Sequence, residues 1–242
     1  MKFFSKEHLD LFLSNLIYLG QGSQGTCYLN KRTNMVIKIF NDYFDNEIAG
    51  YSDEFLMRFS FIKNGSFVWP SDVIKIGNEV VGYTMPYKKA KNLYKINPLF
   101  VNLNTFDRAA QRVMNDVKVL SDNSIRLYDV IYNILYANGK FYVIDTLEYS
   151  KRKTSYEENK KSIDDELKLF LVDNYFDDFV KNDSILNEMY SNSDISALEF
   201  LRTFRTKLSE YVGKDIVKLN DAKSLIKRNE KSSYMRDLEK DI

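Results

Sequence analysis

Apolar positions along the chain change period several times, and each change marks an element. Residues 5–16 place Leu9, Leu11, Phe12 and Leu16 at helical spacing, which predicts a short amphipathic helix. NLIYLGQG, GTCYLN and MVIKIF follow, each short, rich in β-branched and aromatic residues and bounded by turn residues. They predict successive antiparallel strands, the last two joined across KRTN. DNEIAGYSDEFLMRFSFIKN is expected to be helical and to carry Glu47 and Glu54, with Gly50 weakening its first half. SDVIKIG and EVVGYTM predict two further strands around Gly77-Asn78, and Pro86 closes that region. KKAKNLYKINP then reads as an irregular connector.

The second half changes character. TFDRAAQRVMNDVKVL has the 3.6-residue apolar spacing of a helix. NILYANGKFYVIDT predicts a hairpin, because Asn138-Gly139 favours a tight two-residue turn between apolar strands. From about Tyr156 onward the pattern is helical, with Ser162 and Ser193 as expected N-caps. Phe170, Phe200, Leu201, Phe204 and Leu208 are expected in a core or interface, whereas Tyr175, Phe176 and Phe179 are candidates for an exposed partner-binding set. The expected architecture is β-rich in the first third and mostly helical afterwards.

Composition narrows the chemistry. A chain of 242 residues suits one large domain or two small ones sharing a cleft. Its 35 basic and 34 acidic side chains nearly cancel, which argues against a nucleic-acid partner bound by charge alone. Cys27 and His8 are the only residues of their types, so disulfide scaffolds, Cys/His zinc sites and Cys–His catalysis drop out within one chain. His8 is expected to be a solvated helix residue. Lys6, Glu7, His8 and Asp10 interrupt the apolar N-terminal stretch, and no run approaches a membrane span. A soluble, cytoplasmic protein without a membrane partner is the expectation.

The segment LGQGSQGTCYLN holds Gly20, Gly22 and Gly25 at G-x-G-x-x-G spacing, with Ser23 inside the loop. A dinucleotide loop would need a helix directly after the third glycine. Here TCYLN favours a strand, so Asp42, at roughly the acidic position, has little weight. A Walker-type loop would need Gly-Lys-Ser/Thr, which is absent from this stretch. What remains is a glycine hairpin folding over phosphates, with Lys38 on the next strand and Cys27 pointing a small apolar side chain at a base. Glycine suits that task because a side chain would hold the backbone N–H groups away from phosphate oxygens. A glycine-rich hairpin beside a surface lysine has the same local pattern.

At these residues the sequence resembles the protein-kinase superfamily. Gly20, Gly22, Gly25 and Cys27 follow its glycine-rich loop, and Met35, Val36, Ile37 and Lys38 follow its Val-Ala-Ile-Lys strand. Further on, IRLYDVIYNILYANGKFYVIDTLE offers Asp129, Asn133, a hairpin and Asp145 in the family's order. The resemblance spans roughly residues 17–150. It implies a two-lobed α+β fold, with an antiparallel N-lobe over 1–86 and a mainly helical C-lobe over 87–242. It also implies ATP and Mg²⁺ as cofactors, Lys38 on the α- and β-phosphates, and Glu54 on a helix orienting Lys38. Asn133 and Asp145 would bind the metal, Asp129 would act as base, and Met85 and Tyr87 would line the adenine at a hinge around Pro86. The implied activity is transfer of the γ-phosphoryl to a hydroxyl, with a protein Ser/Thr acceptor first and a small-molecule acceptor second.

Departures from the family leave a second expectation, a nucleotide-binding pseudokinase that acts through a partner. Val130, Ile131 and Tyr132 alone separate Asp129 from Asn133, where the family has four residues. Either Asp129 still reaches the acceptor from a shorter loop, or the base is lost. Thr146-Leu147 replaces the Phe-Gly that follows the family's metal-binding Asp. SKRKTSYEE sets Lys151, Arg152 and Lys153 beside Thr154, Ser155 and Tyr156, which suits a solvated loop, a self-modified segment or a site for an acidic substrate.

Overall fold

The computed structural model describes residues 1–128, 130–173 and 175–226. The chain divides into two compact units, Met1–Lys63 with Phe67–Lys89, and Asn64–Ser66 with the chain from Ala90 onward.

The first unit is built on a six-stranded sheet. Its strands are β1 (Lys2–Phe3), β2 (Ile17–Gln21), β3 (Gly25–Asn30), β4 (Met35–Phe40), β5 (Asp72–Ile76) and β6 (Glu79–Pro86). Their spatial order is β1-β5-β6-β4-β3-β2. Neighbours pair antiparallel except β1, which runs parallel to β5 with Lys2 opposite Lys75. The two-residue β1 is too short for period reading and has no counterpart in the expected strands.

Helix α1 (Lys6–Ser14) starts at Ser5, whose hydroxyl accepts from His8 N, and buries Leu9 and Leu13. Those two residues sit four apart on one face and pack with Phe3, Ile37, Ile39, Tyr43, Ile74 and Val81. Leu11, expected in the apolar set, is 67% exposed, because it lies off that face. His8 is exposed on α1, as expected, with its ring against Phe3 and Phe4.

The helix expected over residues 45–64 is mostly absent. After α2 (Asn41–Phe44), Asn46 and Gly50 adopt φ values of 59° and 70°, which no right-handed helix accommodates. A new start is then made by Ser52, which caps the five-residue α3 (Asp53–Met57). Leu56, Phe59 and Ile62 are buried as expected.

The second unit combines short strands with longer helices. Strand β7 (Lys91–Asn92) lies in the segment expected to be irregular, and α4 (Leu103–Asp122) covers the expected helix with a two-residue β8 (Ile125–Arg126) after it. The hairpin β9 (Ile134–Ala137) and β10 (Lys140–Val143) forms in the expected register, with Asn138 and Gly139 at φ 49° and 71°. Strand β11 (Ser150–Lys151) pairs back onto β8. Helices α5 (Tyr156–Val172), α6 (Asp177–Asn182), α7 (Ser184–Ser191) and α8 (Ala197–Val212) complete it.

The expected N-caps are displaced. Ser162 is inside α5, which begins about two turns earlier at a capping box between Ser155 and Glu158; α8 begins at Ser196 rather than Ser193. Phe170, Phe200, Leu201, Phe204 and Leu208 are all buried. Of the expected exposed aromatic set, Phe176 is fully buried, while Tyr175 and Phe179 are half-buried, Phe179 packing on Phe176, Phe204 and Tyr211.

Candidate functional site

In the first unit the candidate residues converge on β4. Its central position carries Lys38, opposite Cys27 of β3 and Tyr83 of β6, and only 5% exposed. An ammonium with so little water needs acceptors. Gln24 Oε1 accepts from Lys38 Nζ at 3.3 Å, and the Tyr83 ring centroid lies 5.9 Å from that nitrogen. Glu54, expected to orient Lys38, is exposed on α3, and no ion pair joins the two among the described residues. The early end of the helical stretch accounts for this, because α3 has a single turn and α2 does not continue into it.

The glycine hairpin joins β2 and β3. Gly22 N donates to Gly25 O at 2.9 Å, closing the turn around Ser23 and Gln24. Asn41, the residue after the lysine strand, fastens the tip: its side-chain amide donates to Gly22 O at 3.1 Å and Ser23 O at 2.9 Å, while its backbone N donates to Gln24 O. A Cβ on Gly22 would meet nothing closer than Gly25 O at 4.0 Å, and one on Gly20 would meet nothing within 4 Å. Gly25 differs. A Cβ there would lie 2.3 Å from Ile39 O, so its glycine is required by the approach of β3 to β4. Gly82 on the other side of β4 is constrained in the same way, with Lys38 O at 2.2 Å.

At the expected hinge, Met85 is buried opposite Val36, and Tyr87 N donates to Asn34 O at 3.0 Å. The Tyr87 N–H is therefore already engaged by the sheet.

In the second unit Asn133 and Asp145 stand at the open end of the β9–β10 hairpin. Ile144 N donates to Asn133 O at 3.0 Å, extending the ladder by one pair and holding the two residues in adjacent rows. Asp145 then takes a left-handed conformation, φ 58° and ψ 54°, and Thr146–Glu148 turn into β11. An amide and a carboxylate, both half-buried, are brought together on a hydrogen-bonded backbone. Their oxygens are the donor type a hard cation such as Mg²⁺ takes. No group of three or more His, Cys, Asp or Glu among the described residues is placed to bind a metal by itself. Asp129, the expected base, lies outside the described residues.

The start of that loop has an anchor that sequence reading missed. Asn159 on α5 is 1% exposed; its Oδ1 accepts from Leu127 N at 3.0 Å, and its Nδ2 donates to Ile125 O at 2.8 Å and Ser121 Oγ at 2.9 Å. In sequence it sits in YEENKKSIDDE, whose charged residues give no sign of a buried amide. Gln24 and Asn41 were equally silent, since an amide in a loop carries no periodic signal.

No family model matches the chain, and no curated protein matches it. Among solved structures it is similar to one described as titin kinase and its flanking domains, at 11% identity and a TM-score of 0.54, over 87% of this chain and 50% of that one. The chain thus spans about half the length of the structure it matches. At that identity the likeness shows the fold alone: a kinase-like fold, with an antiparallel-rich N-terminal sheet and a helical C-terminal part. No helix among the described residues is long and apolar enough to cross a membrane.

Proposed function

We propose that this protein is an ATP- and Mg²⁺-dependent phosphotransferase that moves the γ-phosphoryl of ATP to a hydroxyl, a protein Ser/Thr first and a small molecule second. The observation that carries this reading is Lys38, an almost fully buried ammonium in the middle of a strand, beside a glycine hairpin whose first two glycines have no packing need. Residues 1–86 would form the domain that holds the nucleotide, through Gly20, Gly22, Ser23, Gly25, Cys27 and Lys38, with Met85 and Tyr87 beside the base. Residues 87–242 would form the domain that carries the metal ligands and the acceptor.

Asn133 and Asp145 would hold Mg²⁺, which supplies charge neutralisation at the transferring phosphoryl group. Lys38 would bind the α- and β-phosphates once Gln24 releases it. A phosphate oxygen offers an ammonium a full charge where the Gln24 amide offers only a dipole. Asp129 would accept the acceptor's proton, a task worth about 10²–10⁴ in rate.

The test is incubation with γ-labelled ATP and Mg²⁺. Label on the protein or on a generic acceptor is expected, lost in Lys38→Ala and Asp145→Asn and reduced at least tenfold in Asp129→Asn. Absence of ATP binding by the intact protein would overturn the reading. The exposed Glu54 favours a second one, a pseudokinase that binds nucleotide without transferring it. Mg²⁺-dependent ATP binding with no label on any acceptor would select that alternative.

A further inference from the structure

The basic run after Asp145 is sorted by the β8–β11 ladder into two faces with different tasks. Ser150 pairs with Arg126 and Lys151 with Ile125, and Arg152 N continues the ladder to Ser124 O at 2.8 Å. Because side chains alternate along a strand, Ser150 and Arg152 share the face of Arg126, and Lys151 lies opposite. Lys151 is structural: its Nζ donates to Asn123 O at 2.6 Å, at the C-terminal end of α4.

The other face gathers Arg126, Tyr128 and Arg152. Arg126 lies 6.0 Å from the centroid of the exposed Tyr128 ring and donates from Nη1 to Thr154 Oγ1 at 3.2 Å. Hydrogen bonds from Ser150 and then Arg152 hold the Tyr128 phenol below the usual tyrosine value. Glu158 is the carboxylate near Arg126, but at 3.6 Å, and its Oε2 already serves Ser155 N and Thr154 Oγ1 in the cap of α5. Arg126 thus meets one carboxylate, loosely held and shared with the cap of α5, while Arg152 reaches the Tyr128 phenol, so this face carries two guanidinium groups and one carboxylate. The exposed phenol between them is in direct sequence with Asp129.

We propose that the Arg126–Tyr128–Arg152 face receives an acidic side chain of a polypeptide acceptor, so that the preferred hydroxyl is one flanked by Asp or Glu. This rests on the phosphotransferase reading for its consequence but not for its test. A planar guanidinium fork matches a carboxylate bidentately, and a second one beside it adds selectivity against a neutral residue.

The test is fluorescence anisotropy of the intact protein, without nucleotide, against a labelled Ser peptide flanked by Glu and its Gln-flanked twin. The acidic peptide is expected to bind about tenfold tighter at low ionic strength, with the gap closing as salt rises. Arg152→Glu should abolish that preference and transfer it to a Lys-flanked peptide, a swap that a merely unfolded variant would not produce. Equal affinity for the two twins, no binding of either, or a preference that survives Arg126→Gln with Arg152→Gln would overturn the proposal. ATP binding, measured separately on the same samples, tells whether the phosphotransferase reading fails instead.

Discussion

Lys38 was legible in the sequence because a lysine inside MVIKIF breaks an otherwise apolar strand, and a charge in such a place needs a reason. Its partner was not legible. Gln24 reaches Lys38 only because the hairpin folds back, a geometry fixed by Asn41 holding Gly22 and Ser23 carbonyls. The glycines also divide in a way that spacing alone conceals. Gly25 and Gly82 approach the β4 backbone from either side, where a Cβ would lie 2.3 Å and 2.2 Å from carbonyl oxygens. Gly25→Ala or Gly82→Ala must therefore push strands apart, an overpacking cost of about 1–3 kcal/mol. Urea denaturation should show both midpoints lowered, with Gly22→Ala near the parent protein. Equal midpoints for Gly25→Ala and Gly22→Ala would mean that Gly25 is not held by packing.

At the scale of elements, the strands and the Asn138-Gly139 hairpin were readable because each has a strong local signal, period two or a left-handed turn pair. The segment 45–64 misled because its composition favours a helix while Asn46 and Gly50 leave the right-handed region. Helix α5 begins at Tyr156, as expected, but its depth in the core was not legible. Its buried positions include Asn159, Lys160, Asp164, Glu166 and Lys168, so no apolar stripe announces that it is central. Lys168 shows how such a helix is tolerated: its ammonium donates to Met189 O at 3.0 Å and Asn192 O at 2.8 Å. Asn159 is the position with most at stake. Asn159→Ala would remove the Asn159 partners of Leu127 N and Ile125 O and one of the two bonds of Ser121 Oγ, which still donates to Val117 O; each group left buried and unpaired costs about 1–3 kcal/mol. A loss of several kcal/mol in chemical denaturation is expected. Asn159→Asp should recover part of it, since Oδ1 still accepts from Leu127 N.

For the molecule as a whole, the kinase-like fold expected from the order of two groups of motifs agrees with the likeness to a solved kinase structure at 11% identity. The buried acids of α5 were not readable, yet they set how the protein's stability responds to pH. Asp164 is 0% exposed, and burial raises it from 3.8 to about 6, despite Oδ1 accepting from Ala197 N at 2.7 Å; Oδ2 has no hydrogen-bond partner among the described residues. Lys160 and Lys168 oppose that rise and Asp165 adds to it. Burial likewise raises Glu166 and Asp173. Each of these groups keeps a proton in the folded chain that the unfolded chain has already released. Their contribution is therefore fully present below about pH 4 and is lost as pH rises through the folded values. For Asp164 the difference amounts to roughly 3 kcal/mol. Asp72 and Asp183, held below the usual carboxylate value, act in the opposite sense and only below about pH 4. Thermal unfolding should accordingly show Tm falling between about pH 4 and pH 6.5. Asp164→Asn keeps the acceptor for Ala197 N and cannot ionise, so its curve should be markedly flatter over that interval, whatever its absolute Tm. Parallel curves for the two proteins would show that Asp164 does not ionise within the fold in that range.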